Sequence, residues 1–376
     1  MNEERLRGVC VGYVTQERSK LKQFLMRRAI IIGGPAIADD ATDEEVICLM
    51  SAVRAQLKSQ AIYVETRNFN DYSRWKEAFA KAGFSYEPHL NFHVHTDQGW
   101  EAVEENIGKH RKKYIRLSFR DGATIKELKH EGVNELENLK LLKDYYAILE
   151  DLYKTKVKMP LQPWSFFEKL YHLDSCKYLL VMYDGQVVGG SICMLLNKNT
   201  QNPVPEINQE NIIGNQKIIE KNTGLSATCS TPNNLDHMSA QEQALGQPSA
   251  QSCSIDSVTQ TLSDNPSQKI PKNSDNALQN NGGGVYEWYA CGKDGVFKNI
   301  HPSSVTKYAG MKYAADNGYA VFDMMGAGKP DEEYGVRDFK AEFGGELVEY
   351  GRWLAVTKPL MYKIGVLGVK ILKKIK

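Results

Sequence analysis

The sequence predicts an α/β (α+β) protein built from two similar tandem domains, with mixed sheets flanked by helices and a long disordered insertion. Three observations carry this. Runs with strand alternation and runs with helical periodicity succeed one another along most of the chain. One strand–helix order occurs twice, with Ile62 falling on Phe322 and Phe79 on Phe339 at a constant offset of 260 residues. The tract from Asn197 to Gly284 holds no Phe, Trp or Tyr and is rich in Asn, Gln, Ser and Pro, so it cannot bury enough apolar surface to offset the cost of ordering.

Residues 7–15 and 29–36 read as strands, the second ending in a glycine turn. Thr42 followed by Asp43, Glu44 and Glu45 is a helix start, and the helix runs to about Ser59 with Val46, Met50, Val53 and Leu57 on one face. A strand at 61–67, a helix at 72–82 and a strand at 85–95 follow. Residues 108–122 then carry Lys109, Arg111, Lys112, Lys113, Arg116 and Arg120. That run is either a solvated helix face or an anion patch for a pyrophosphate or an RNA backbone. Leu142, Tyr145, Leu149 and Leu152 mark an amphipathic helix. KYLLVMYDGQVVGGSICMLL is a β-hairpin turning at Asp184–Gly185. After the tract, 285–291 resumes as a strand. The second copy of the repeat is helix 303–317, strand 319–325, helix 334–343 and strand 347–356. A 197–284 insertion between neighbouring strands adds little closure entropy, because that cost grows only with the logarithm of loop length.

Net charge is +1, so no global field draws the chain to nucleic acid or membrane. The seven cysteines show no C-x-x-C pair and no ligand spacing with His, which argues against zinc and fits reduced thiols in a cytoplasm. The start lacks the apolar core of a signal peptide, and no run reaches the roughly 20 apolar residues of a membrane span. The tail KPLMYKIGVLGVKILKKIK has helical periodicity, with Lys363, Lys370, Lys373 and Lys374 on one side and Leu360, Ile364, Leu367 and Ile371 on the other. Two readings are open: a helix at an anionic membrane surface, or a helix docking its apolar side on the domain.

The repeat's second copy, FDMMGAGKPDEEYGVRDFKAEFGGELVEYGRW, is a strand, a turn with Gly326, Gly328 and Pro330, a helix with Phe339 and Phe343 on one face, a Gly344–Gly345 stop and a further strand. The motif FK-x-x-FGGEL, with G-x-G-K-P and YG-x-R before it, resembles the FemABX family of peptidyl transferases, which build peptidoglycan bridges and have two GNAT-like halves with a cleft between them. The resemblance covers roughly residues 7–196 and 285–356. It implies a first GNAT-like domain at 1–128, N-terminally short for the family, and a second at 129–356 interrupted by 197–284; residues 357–376 form the basic C-terminal helix. Phe339 and Phe343 are core residues on any reading.

No G-x-S-x-G and no activated cysteine is present. A GNAT-like site needs neither, since it holds an acceptor amine beside an activated acyl donor and requires an exit for the amine proton and donors for the oxyanion. Asp323 and Glu287 are the candidate proton acceptors, Asp323 being equally readable as structural. The resemblance places Lys340, the lysine of the FK motif, in the substrate cleft against a phosphate; Arg67, Arg116 and Lys329 are lesser candidates. No permanent cofactor is implied. CGKDGVFKNIHPSSVTKY lacks the Q/R-x-x-G-x-G/A loop of acetyl-CoA enzymes, which favours aminoacyl-tRNA as donor, with acyl-CoA the alternative. The acceptor is an amine on a peptidoglycan or surface-polysaccharide precursor, lipid-linked in one version. The enzyme is then cytoplasmic, or peripheral at the inner face of the membrane. The rival reading is a non-catalytic or degenerate protein that holds a precursor or RNA.

Overall fold

β1 (Gly8–Val9), β2 (Gly12–Val14), β3 (Arg28–Gly33) and β4 (Ala36–Ile37) lead into α1 (Asp43–Leu57) in a computed structural model, which describes residues 6–15, 24, 27–130, 134–157, 160–196 and 282–374. α1 starts where its sequence signal stands. Thr42 Oγ1 accepts from the Glu45 N–H, and the Glu45 carboxylate accepts from the Thr42 N–H, closing a capping box. β5 (Tyr63–Asn68), a 3₁₀ turn at Ser73–Trp75, α2 (Lys76–Lys81), β6 (Ser85–Glu87) and β7 (Leu90–His95) follow. α3 (Trp100–Asn106), the basic α4 (Lys109–Arg120), β8 (Thr124–Leu128), α5 (Glu135–Leu152) and α6 (Trp164–Tyr171) come next.

β9 (Cys176–Tyr183) and β10 (Gln186–Leu196) form the expected hairpin. Asp184 and Gly185 both take positive φ, 48° and 70°, the left-handed geometry that an Asp–Gly pair tolerates. β11 (Gly284–Gly292), α7 (Pro302–Asp316), β12 (Val321–Gly326), α8 (Gly335–Ala341), β13 (Glu346–Glu349), β14 (Arg352–Val356) and α9 (Pro359–Lys374) complete the chain. Most of the 197–284 insertion lies outside the described residues, as do the side chains beyond residue 368. No described helix is long and apolar enough to cross a membrane.

The chain adopts the mixed α/β architecture expected of it. Parallel pairs β3/β5 and β11/β12 sit among antiparallel ones in a seven-stranded sheet, order β13-β7-β12-β11-β10-β9-β8, and a five-stranded sheet, order β2-β3-β5-β14-β6. The repeat is visible element by element: α1, β5, α2, β6 and β7 recur as α7, β12, α8, β13 and β14, their starts shifted by 258 to 262 residues.

The expected strand 7–15 is broken into β1, which pairs with β4 in a separate two-stranded sheet, and β2, which pairs with β3. The expected strands 85–95 and 347–356 are also each broken in two, and these two breaks carry the chain between the five- and seven-stranded sheets. Residues 85–95 divide at Pro88, which has no N–H to give a ladder: β6 stays beside β14 in the five-stranded sheet, while β7 enters the seven-stranded sheet between β12 and β13. Residues 347–356 divide at Gly351, whose φ is 61° and where a Cβ would lie 2.2 Å from the Tyr86 ring. β13 therefore pairs with β7, while β14 crosses to lie between β5 and β6. Strands from both sides of residue 128 thus interleave in both sheets. Alternation alone cannot show this, because each half-strand keeps the periodicity of its neighbour.

One core lies between the seven-stranded sheet and α3, α4, α7 and α8, and includes Phe92, Val94, Phe322, Met324 and Phe343. A second lies under α1 and α2, with Val46, Met50, Val64, Phe79 and Trp353. A third, on β8 to β11, is covered by α5 and α6. Gly345 brings β13 against β7: its φ is 97°, and a Cβ there would lie 2.2 Å from the His93 carbonyl oxygen.

Candidate active site

On β12, Phe322 and Met324 enter the first core, so the residue between them must face the other way. That residue is Asp323, 1% exposed. Its Oδ2 accepts from Asn91 Nδ2 at 3.0 Å, and His93 Nε2 lies 3.3 Å from the same oxygen. Its Oδ1 accepts from the Met325 N–H at 2.6 Å. Asn91 and His93 reach Asp323 only because β7 crosses between sheets, which sets His93 opposite Asp323 in register. Tyr286, opposite Asp323 on β11, has a buried hydroxyl with no protein partner and a ring stacked on Phe69 at 4.6 Å. Burial and then the Asp323 charge push its phenol pKa up.

The turn after β12 is unusual. Met325 has φ 64°, a left-handed conformation that costs a side-chain-bearing residue free energy. Lys340 holds it. Its Nζ donates to the carbonyls of Met324 at 2.6 Å, Met325 at 3.1 Å and Gly326 at 2.8 Å, so all three ammonium protons are used. Burial pulls its pKa down to about 8, against the opposing pull of Asp323. Arg337, of the YG-x-R run, serves the rest of the loop by donating to the carbonyls of Ala327, Lys329, Pro330 and Glu332. The lysine and arginine of the motif thus both bind backbone.

Glu287 shares a strand face with Val285, toward α7, opposite to the face that carries Asp323. There it forms a buried ion pair with Lys307, and its Oε1 is otherwise unpartnered. Burial, and then the nearby Lys340 charge, press the Lys307 pKa well below its ordinary value. The two carboxylates singled out from the sequence are therefore separated by the sheet.

Arg67 lies in a different constellation. Val64 enters the second core, so Tyr63, Glu65 and Arg67 share the opposite face of β5. Glu65 Oε1 accepts from Arg67 Nε at 2.9 Å and from Arg352 Nη1 at 2.7 Å. Arg28 Nη1 lies 3.9 Å from Glu65 Oε2 and donates to Tyr63 Oη at 3.1 Å. Three guanidiniums around one carboxylate leave two positive charges in excess. Burial opposes the Glu65 charge, but Arg352, Arg67 and Arg28 more than reverse this and hold the carboxyl below its ordinary range. Burial pulls Arg352 down to about 10, Glu65 resisting and the other two arginines assisting. The side chains of Arg28, Arg67 and Arg352 remain 24%, 31% and 29% exposed, with unused donors.

The segment leading into and along β7 joins the two constellations. His89 Nδ1 is bonded to the Gly328 carbonyl oxygen at 2.6 Å, and burial, then Arg352, pull its pKa down to about 4. At neutral pH His89 is therefore neutral, with Nδ1–H donating and Nε2 free to accept. His89, Asn91 and His93 occupy alternate positions, so they point to one side at steps of about 7 Å. That line runs from the arginine cradle to Asp323.

The remaining sequence candidates lie elsewhere. Lys329 is exposed and pairs with Glu87 at 3.1 Å. Arg116 lies on the outer side of α4, lining a shallow recess of about 320 Å³ with Lys109, Lys112, Lys113, Leu117 and Arg120. Arg111 of the same run turns inward, over the Phe339 ring and onto Glu342. Arg28, Glu65, Arg352 and Lys307 escaped the sequence reading, yet one signal was available: a charged residue such as Glu65 inside an otherwise core-forming strand needs partners. Among the described residues, no group of three or more His, Cys, Asp or Glu could hold a metal ion.

Fold and site together define an α/β protein of two large mixed sheets with a buried, oriented carboxylate and an adjoining cationic cradle. Residues 215–367 match the model of the FemAB family, and they contain the whole G-x-G-K-P to FGGEL run. The crystal structure of FemX superposes with a TM-score of 0.51 at 13% identity, covering 97% of this chain and 88% of that one. The C-terminal domain (DUF2156) of an Agrobacterium fabrum protein gives 0.49 at 11% identity, covering 92% and 82%. L-PGS from Bacillus licheniformis gives 0.47 at 11% identity, covering 90% and 82%. No curated protein sequence matches the chain.

Proposed function

We propose that this protein is an acyltransferase that moves an aminoacyl group from aminoacyl-tRNA to an amine of a peptidoglycan or surface-polysaccharide precursor. The observation that carries the reading is the line of His89, Asn91 and His93 connecting a cationic cradle to a buried carboxylate. In this reading Arg28, Arg67 and Arg352 receive a phosphate of the precursor, for which planar guanidinium forks are suited. Asp323, oriented by Asn91 and the Met325 N–H, accepts the proton of the amine as its nitrogen bonds to the aminoacyl carbonyl carbon, and returns that proton to the tRNA ribose oxygen as the ester C–O bond breaks. Tyr286 supplies the unpaired hydroxyl that can donate to the oxyanion. Lys340 acts through the turn it holds, and Glu287 through Lys307. The two sheets serve as the two GNAT-like halves, with β7, β8 and β14 exchanged across residue 128, and precursor and charged tRNA place the reaction in the cytoplasm. The missing Q/R-x-x-G-x-G/A loop supports tRNA over CoA as donor.

The test is a mass-spectrometric transfer assay on muramyl-peptide and amino-sugar precursors, with a charged tRNA pool or acetyl-CoA supplied separately. An amino-acid-sized gain that requires charged tRNA and disappears in Asp323→Asn is the expected result. An acetyl-sized gain from CoA would overturn the donor assignment. Precursor binding without transfer from either donor would favour the non-catalytic reading.

A further inference from the structure

α9 leaves the body directly after β14, and its two sides differ. The inner side carries Tyr362, whose ring meets Tyr63 edge-on with centroids 5.4 Å apart, together with the half-buried Met361, Gly365 and Gly368. The outer side carries Leu360, Ile364 and Leu367, which are 68%, 44% and 59% exposed. Their i, i+4, i+7 spacing sets them in one stripe, with exposed Lys363 at its border. Of the two readings open for this helix, docking of the apolar side on the body is therefore not the one adopted: tyrosine and glycine face inward, and leucine faces out.

An apolar stripe could take several partners, and charge chooses among them. After Glu349 the sequence contains no Asp or Glu but does contain Arg352, Lys358, Lys363, Lys370, Lys373, Lys374 and Lys376. A second copy of this chain would bring an equally cationic segment against the first. An anionic bilayer offers the complementary charge and an apolar layer beneath it. Sixteen residues of helix span about 24 Å, short of a membrane crossing, and so lie in the interface plane.

We propose that α9 is a membrane-surface anchor, lying in the headgroup boundary of an anionic bilayer with Leu360, Ile364 and Leu367 inserted and Lys363 against lipid phosphates. The inner contact adds a positional consequence. Tyr63, which receives Tyr362, also accepts from Arg28, so the arginine cradle lies one side chain behind the anchoring helix. The anchor rests on α9 alone and stands whether or not the protein proves to be a transferase.

The experiment is co-sedimentation of the full chain with vesicles of phosphatidylcholine alone or of phosphatidylcholine with phosphatidylglycerol, across a salt series. The wild type is expected to sediment with phosphatidylglycerol vesicles, to be released as salt rises, and to bind phosphatidylcholine weakly. The double variant Leu360→Glu/Leu367→Glu is expected to lose about ten-fold or more in partitioning. Because both residues are exposed, its melting temperature stays that of the wild type, so lost binding cannot be ascribed to unfolding. Equal binding to both vesicle types, no binding to either, or unchanged binding by the double variant overturns the proposal. So does a dimer in solution that this variant splits while neither protein binds vesicles, which would make the stripe a self-association surface.

Discussion

Replacing Lys340 by Met removes the ammonium while keeping most of the side-chain volume, and the structure sets the scale of the result. Three carbonyls, those of Met324, Met325 and Gly326, lose their donor. A buried acceptor left unpaired costs about 1–3 kcal/mol, so three cost about 6 kcal/mol at mid-range. Against this, the variant escapes the penalty of burying the charge. The fall of the Lys340 pKa from 10.5 to about 8 corresponds to about 3.5 kcal/mol at about 1.4 kcal/mol per unit. The net loss is about 2.5 kcal/mol, which for a domain of this size lowers the melting temperature by about 5–10 °C. Calorimetry or thermal circular dichroism measures this directly. A pH series adds a second signature. Because the folded pKa lies below the unfolded one, the unfolded chain holds more protons between about pH 8 and 10.5. Wild-type stability relative to Lys340→Met therefore rises with pH across that window, and the difference is flat below it. A variant that melts within about 2 °C of wild type but transfers nothing would refute the structural account and make Lys340 a substrate ligand.

Three further outcomes follow from the same geometry. Glu287→Gln strands Lys307 in the interior and is expected to cost about 3–5 kcal/mol, whereas Glu287→Gln combined with Lys307→Met recovers much of it; a double-mutant cycle by urea denaturation measures the coupling. Glu65→Gln removes the one negative charge of the cradle, so pyrophosphate should raise its melting temperature more than that of wild type, although the unliganded variant melts lower because three guanidiniums then repel one another. Asp323→Asn keeps an oxygen for the Met325 N–H but not the base, so transfer should fall by about 10²–10⁴ while the melting temperature moves less than in Lys340→Met.

The capping box at Thr42, the Asp184–Gly185 hairpin and the FGGEL stop were legible in the sequence because each depends on neighbours within a few residues. The repeat was legible for a related reason: local periodicity survives in both copies, and one copy need only be laid on the other. Asp323 could be named as the polar residue of an apolar strand, and Arg67 as a charge on another. Their partners could not. Asn91 and His93 meet Asp323 only after a strand break at Pro88 carries β7 into the other sheet, and Arg352 meets Glu65 only after a break at Gly351 carries β14 back.

Local pattern thus determined the elements, the repeat and the family motif, since backbone propensity and side-chain alternation act over a few residues. Tertiary structure alone decided which strands exchange, what Lys340 and Glu287 bind, and which side of α9 faces outward. Those outcomes depend on contacts beyond local pattern: Lys340 and Glu287 find their partners 14 to 20 positions away, and the exchanged strands and α9 find theirs hundreds of positions away, so a lysine's role is set by the acceptors that surround it once buried.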